Sequence, residues 1–321
     1  MKRKIVCVWV LLGLCLGLVC YNHQYHCYGY PFVTTPSGLS YKAIGKKGSG
    51  RKVKDNEWVQ CSLAMKAIHK KGTKEGKINH KESILIDQET CLLPFGKAFQ
   101  SNHKRIAEMI GMMQEKQRVV FKCTPQYYLE AETPEHLEQL LKQSKLHKED
   151  TLVVDITLDK IMTHAEYSVM LEKRRMAQLA KDKQLITDYL ATHHIEASST
   201  DSGLFYIIDQ SSQATPVVKG KTIQVHYTGR LLDGTIFDTS IEELAKANNL
   251  YDAKRVYQPF EFQVGKGHVI QGWEEGLLLL KKYEKARFFI PSTLAYGHQA
   301  IGNVIPENAN LLFEVEVVDV F

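Results

Sequence analysis

Residues 264–291 read VGKGHVIQGWEEGLLLLKKYEKARFFIP, and they decide the fold. GWEEGLLLL has the composition of one short helix, opened by Trp273. Glu274 and Glu275 fall in its first turn, where negative charge suits the positive helix end. ARFFIP behind it reads as a strand stopped by proline. An indole at the head of so short a helix needs an apolar surface to meet, and the flanking sequence supplies one. KTIQVHYTG alternates from Ile223 to Tyr227, the pattern of a half-buried strand. FEFQVG and NLLFEVEVVDVF are two further strands. Several antiparallel strands around one short helix make residues 203–321 an α+β domain.

The first half repeats this plan in weaker form. SGLSYKAI (37–44) echoes SGLFYII, NEWVQCSLAMK echoes GKTIQVHYTGR, RVVFKCTPQYY echoes RFFIPSTLAY, and DTLVVDITLDKI echoes ANLLFEVEVVDV. Four echoes in one order indicate a duplicated domain. Between the copies, residues 166–194 contain neither Gly nor Pro. Met176, Leu179, Ala180, the stem of Lys183, Ile186 and Leu190 follow the helical period, so a long amphipathic helix is expected, docked on a neighbouring domain. Its stripe would otherwise pair with a second copy in a homodimer.

The chain has 321 residues, 44% hydrophobic and 24% charged, which is globular composition and about two domains long. Its formal net charge of +5, without a dense Arg/Lys run among aromatics, argues against nucleic acid. Lys2, Arg3 and Lys4 precede an uncharged apolar run from Ile5 to Cys20, the layout of an export signal. The run is short for a membrane span of roughly 20 residues. It resembles a bacterial lipoprotein signal with Cys20 as the lipid-bearing residue, although Val19 stands where such signals favour a smaller one. An uncleaved anchor and an ordinary signal peptide are the alternatives. Residues 21–36, aromatic and polar with two prolines, read as a tether. Cys27, Cys61, Cys91 and Cys123 have no zinc-type spacing, and they either pair after export or stay as buried thiols. No metal or cofactor site is expected.

Residues 202–321 resemble the FKBP-type peptidyl-prolyl cis-trans isomerases, the immunophilins that bind macrolide drugs. VHYTGRLLDGTIFDTS, PFEFQVGKGHVIQGWEEGL, IPSTLAYG and VIPENANLLFEVEVVDV carry the resemblance in order, and the insert IEELAKANNLYDAKRVYQ looks like exported bacterial members. The resemblance implies two FKBP-like domains of α+β class, each a half-wrapped antiparallel sheet around a short helix, joined by the long helix. The corresponding spans are a signal at 1–20, a tether at 21–36, domains at 37–165 and 196–321, and a linker helix at 166–195.

The same resemblance implies an aromatic cup. Tyr227, Phe237, Asp238, Trp273, Tyr296 and Phe313 would act on the substrate, and Phe260, Val269, Ile270, Ile301 and Ile305 would bind it. A proline ring would sit on Trp273, walled by Tyr227, Phe260 and Phe313, with the Ile270 amide and the Tyr296 hydroxyl as donors. Asp238 would orient its neighbours rather than act as a base. Two departures affect substrate preference: Ile301 stands where some members carry histidine, and IPEN replaces the commoner Pro-Pro. The insert helix IEELAKANN is a candidate wall of the cup. His226 alternates to the other face, and His193 and His194 end the linker helix.

In the first block Leu63 stands at the place of Tyr227, and counting back puts Lys104 at the place of Trp273. Nothing matches FDTS, and only Tyr127 or Tyr128 survives from the AYG tyrosine. That block is expected to be a degenerate, inactive copy, and its Lys46, Lys47, Lys70 and Lys71 are expected to be solvated. The expected function is isomerisation of X-Pro bonds in unfolded or nascent polypeptides, aiding folding in a bacterial periplasm or at its outer membrane. The membrane would be met only through the N-terminal anchor. The competing class is a non-enzymatic polypeptide-binding chaperone or adaptor.

Overall fold

The computed structural model describes residues 31–44, 50–72, 78–129 and 133–321. The export signal with Cys20, Cys27, Lys46, Lys47 and the side chains of Lys70 and Lys71 lie outside the described residues. Among the described residues no helix is long and apolar enough to cross a membrane. The chain divides into two compact units, Met1–Val169 and Met170–Phe321.

The first unit contains β1 (Val33–Thr34), β2 (Ser40–Ile44), β3 (Glu57–Gly72), β4 (Ile78–Phe95), α1 (Lys97–Asn102), α2 (Lys104–Met112), β5 (Gln117–Cys123), α3 (Pro125–Leu129), α4 (Pro134–Ser144) and β6 (Thr151–Met162). Its antiparallel sheet has the order β1-β2-β5-β6-β3-β4. Thus the end of the expected tether is a short edge strand. Residues Val59, Cys61, Met65 and Ala67 of β3 bury the face that meets α2 residues Met109 and Ile110. Cys61 faces Cys91 across the β3–β4 ladder, and Cys61 and Cys123 are free thiols.

A long helix, α5 (His164–Thr192), follows. Its inner positions in the second unit are Leu179, Asp182, Ile186 and Leu190. Ile186 and Leu190 pack with Phe289 and Leu312. The stripe differs from the sequence expectation at two residues: Met176 and Ala180 are exposed, and a carboxylate takes the inner position at 182.

The second unit continues with β7 (Ser198–Ser199), β8 (Phe205–Gln210), β9 (Thr222–Leu231), β10 (Ile236–Thr239), α6 (Glu242–Ala247), β11 (Phe260–Gln263), α7 (Gln271–Leu277), β12 (Lys285–Ile290) and β13 (Leu311–Val320). Its sheet runs β7-β8-β12-β13-β9-β10, with β11 paired to the first half of β9. Strand by strand this is the order of the first sheet. The register agrees as well: Leu63 lies opposite Ile156 as Tyr227 lies opposite Val315, and Met65 opposite Val154 as Gly229 opposite Phe313. Each pair of long strands carries a bulge at the corresponding place, skipping Asp159 in one and Val318 in the other. Gly38 and Gly203, at φ +88° and +97°, make the same left-handed turn before β2 and β8.

These correspondences correct two sequence alignments. Ser37 Oγ donates to Glu108 Oε1 in the first unit, and Ser202 Oγ donates to Glu275 in the second. Glu108 is therefore the counterpart of Glu275, and Ile106, not Lys104, stands where Trp273 stands. Likewise Arg118 pairs with Thr157 as Lys285 pairs with Glu316, so the echo RVVFKC against RFFIPS was two residues out of register. A slip of two keeps every side chain on its proper face, so alternation could not expose it.

Candidate active site

The second sheet curls over α7, and a cavity of about 650 Å³ opens at one end. All eleven residues expected to form a cup line it: Tyr227, Phe237, Asp238, Phe260, Val269, Ile270, Trp273, Tyr296, Ile301, Ile305 and Phe313. Trp273 and Phe313 are each 5% exposed, and Phe260 and Ile301 are 42% and 40% exposed, so the cavity grades from a dry floor to a wet rim. Tyr227 and Phe313 form T-shaped pairs with the indole, with ring centroids 5.2 and 5.1 Å from it at 78° and 83°. Such edge-to-face pairs contribute about 0.5–1.5 kcal/mol each beyond burial. The buried Nε1–H of Trp273 has no hydrogen-bond partner among the described residues.

Local sequence explains how adjacent residues reach one cavity. Phe237 and Asp238 would normally point to opposite faces of β10. A bulge there pairs Ile236 with Arg230 and Asp238 with Gly229, and the extra residue turns both side chains inward. Thr239 and Ser240 then fasten the strand: the Tyr227 N–H donates to Ser240 Oγ at 2.8 Å, and Thr239 Oγ1 donates to the Tyr227 carbonyl at 3.0 Å. This is the structural content of FDTS. Gly229 must be glycine, because a Cβ there would meet the Phe237 ring at 2.5 Å and Phe313 at 2.7 Å.

At the other side of the floor, Glu274 holds the glycine loop before α7. Its carboxylate accepts from the N–H of Gly265 at 2.5 Å and of Gly267 at 2.8 Å. Glu275 accepts from Ser202. Both glutamates are thus tethers for neighbouring segments as well as charges near a helix end. No side chain caps α7, and Val269 and Ile270 lead into it along the cavity.

Asp238 is the cup's carboxylate. It accepts from Tyr227 Oη at 2.6 Å and from Arg255 Nη1 at 2.5 Å, and Arg255 Nη2 donates to Tyr227 Oη at 3.0 Å. Burial, then the bond to Asp238, pushes the Tyr227 hydroxyl well above its usual range. Burial, then the nearby Asp238 charge, pushes Tyr296 in the same direction. Arg255 comes from the insert and was missed in the sequence, where nothing local distinguishes it from Lys254. His268, Gly302 and Val304 also line the cavity unannounced. The insert helix expected as a wall is elsewhere: Ile241 and Leu244 line a second cavity on the sheet's outer face, together with His226.

Comparison with known proteins turns on the same segment. A profile of the FKBP-type peptidyl-prolyl cis-trans isomerase family matches residues 213–318. An FK506-binding protein of Neisseria meningitidis serogroup C is 42% identical over 112 residues, 35% of this chain and 91% of that protein. The chain belongs to the FKBP-type peptidyl-prolyl cis-trans isomerases. A probable FKBP-type peptidyl-prolyl cis-trans isomerase of Haemophilus influenzae is 41% identical over 125 residues, 39% of this chain and 46% of the relative. FK506-binding protein 2 of Yarrowia lipolytica is 43% identical over 102 residues, 32% of this chain and 62% of the relative. The chain therefore spans about half to three fifths of those two relatives.

Proposed function

We propose that this FKBP domain speeds rotation of X-Pro bonds in proline-containing polypeptides, with the proline ring seated on Trp273 between Tyr227, Phe260 and Phe313. The observation that carries this is the cavity with a dry floor into which all these rings converge. Rotation about an X-Pro bond must break amide resonance, a barrier of roughly 18–20 kcal/mol, and takes tens to hundreds of seconds unaided. No covalent bond is made or cut, so the site needs no nucleophile. A planar amide has large charge separation and a twisted one less, so an apolar cup favours the twisted form. The Tyr296 hydroxyl and the N–H groups entering α7 at Ile270 hold the flanking carbonyls in that geometry. Stronger binding of the twisted than the planar amide is what lowers the barrier.

Relatives are named as FK506-binding proteins, and FK506 is proposed to occupy the same cup. The first unit, on this reading, is a degenerate copy without the aromatic set. Leu63, Met65, Ile106 and Val154 stand where the cup has Tyr227, Gly229, Trp273 and Phe313, a correspondence supported by strand order and register. Its role is to bind client polypeptide, to space the active domain from the membrane, or to dimerise. Export to a bacterial envelope, with Cys20 lipidated, is supported by the basic and apolar leader.

Residues 170–321 and 31–169, produced separately, test the assignment on a short X-Pro peptide. Activity in the first alone, blocked by FK506, is expected. Binding of unfolded polypeptide with no isomerisation by either would leave only the chaperone reading.

A further inference from the structure

We propose that the first unit carries a divalent transition-metal site formed by His69, His147 and Asp150. The alternating inner face of β3, through Cys61, Met65 and Ala67, is continued by His69. Asp150 directly precedes β6, beside the pair Ile68–Thr151, so it sits across the ladder from His69. His147 begins the turn that delivers Asp150, and the Asp150 N–H donates to its carbonyl at 3.1 Å. One ligand atom from each of the three side chains lies within 4.8 Å of the others.

Two of the three ligand–ligand distances are close to those of a shared ion, and the two imidazoles come within 4.8 Å of each other. His147 Nδ1 is 3.4 Å from Asp150 Oδ2, and His69 Nδ1 is 2.8 Å from it. Two ligands of a tetrahedral zinc, each about 2.0–2.1 Å from the metal, stand roughly 3.3 Å apart. The first pair is already there, and the second opens by about half an ångström as the His69 Nδ1 proton gives way to the metal. His69 Nε2 lies 2.8 Å from Ser83 Oγ, an outer partner that can accept the Nε2–H and hold the ring with Nδ1 as ligand. The charge balance argues in the same direction. The Asp150 side chain is 1% exposed, and its ion-pair partners among the described residues are these two histidines, with no Lys or Arg. A buried carboxylate needs a compensating charge. His147 is 71% exposed, so an ion reaches the site from solvent, and a water completes four-coordination. Two imidazoles and one carboxylate fit zinc or its first-row neighbours rather than calcium. The ion would clamp β3 to the turn before β6, and it is independent of the isomerase cup.

Titration of the full chain with Co²⁺, then Zn²⁺ in competition, tests this. The parent should bind one equivalent more than His69→Asn or His147→Ala, with the visible spectrum of four-coordinate Co²⁺ for that equivalent. Each variant should weaken it at least tenfold. Zn²⁺ should raise the parent's unfolding midpoint and leave that of His147→Ala, a surface change, unmoved. Equal stoichiometry and affinity in parent and variants would overturn the site, because any ion then bound lies elsewhere in the chain. Absence of saturable binding would overturn it too, leaving His69 and Asp150 as a hydrogen-bonded pair.

Discussion

The Tyr227 hydroxyl donates to Asp238 across 2.6 Å, so the residue that walls the cup also anchors its carboxylate. The two functions separate in Tyr227→Phe, which keeps the ring and deletes the donor. One net hydrogen bond contributes about 1 kcal/mol, which corresponds to roughly a fivefold change in rate. Asp238 retains Arg255, so the fold should hold. We expect kcat/KM on an X-Pro peptide to fall about three- to tenfold with little change in the unfolding midpoint. Parent-like kinetics would show that only the ring matters.

Arg255 covers the other oxygen of Asp238 at the mouth of the cup. Arg255→Ala uncovers a negative charge at the mouth of the cup, beside the proposed path of the residue before proline. Peptides with Lys before proline should gain relative to those with Glu, and the effect should shrink with salt because the site is open to solvent. The ratio of kcat/KM for the two peptides at low and high ionic strength measures it. An unchanged ratio would remove Arg255 from substrate selection.

Trp273→Ala opens a hole beneath Tyr227 and Phe313, and large-to-small core changes of this kind cost about 3–5 kcal/mol. Trp273→Phe keeps an aromatic floor and removes an N–H that has no partner among the described residues. We therefore expect Phe to retain far more activity and stability than Ala. Equal losses in the two would mean that the indole's N–H, not its ring, is what the substrate uses.

The second unit was legible because β9 and β13 alternate cleanly and because the cup residues sit in ordered motifs. What stayed hidden had physical reasons. The sequence of β4 buries little, Ile84 being 72% exposed, so the length of the β3–β4 hairpin left no periodic trace. The place of Ile106 is fixed by a hydrogen bond between Ser37 and Glu108, 71 residues apart, which no counting along the chain finds. Arg255 reaches the cup from a loop whose composition resembles any solvated insert. Asp182 broke the expected stripe because its neighbours are polar: it is buried against a serine and an asparagine rather than an apolar wall.

Alkaline pH should loosen the first unit. Burial pushes the thiols of Cys61 and Cys123 from 9.0 up to about 12. The unfolded chain loses these protons from about pH 9, while the folded chain keeps them. Their contribution is thus whole below pH 9 and is lost as pH rises toward 12. Tyr227 and Tyr296, also raised, act in the same direction in the second unit. Unfolding midpoints between pH 7 and 11 should fall in the parent and fall less steeply in Cys61→Ala/Cys123→Ala. Parallel slopes would assign the alkaline loss to other groups.

The docking of α5 rests on one buried carboxylate. Asp182 is fully buried, and accepts from Ser292 Oγ at 2.6 Å and from Gln178 Nε2 at 2.7 Å. Its carbonyl accepts from Asn310 Nδ2 at 3.3 Å, and the Ser292 N–H donates to Asn310 Oδ1 at 3.1 Å. Ser292 in turn holds the turn that carries Tyr296, its carbonyl accepting from the N–H of Ala295 and Gly297. Asp182→Ala leaves the buried Ser292 hydroxyl without its partner and frees the Gln178 amide, a cost of about 1–3 kcal/mol. For a unit of this size that lowers the midpoint by roughly 3–10 °C. Leu179, Ile186 and Leu190 remain, so the sheet should stay folded while the helix loosens. Hydrogen exchange should accelerate in α5 and around Tyr296, with β9 and β13 still protected. If α5 exchanged as slowly as in the parent, its apolar side chains alone would suffice to dock it, and the buried network would have no part in positioning Tyr296.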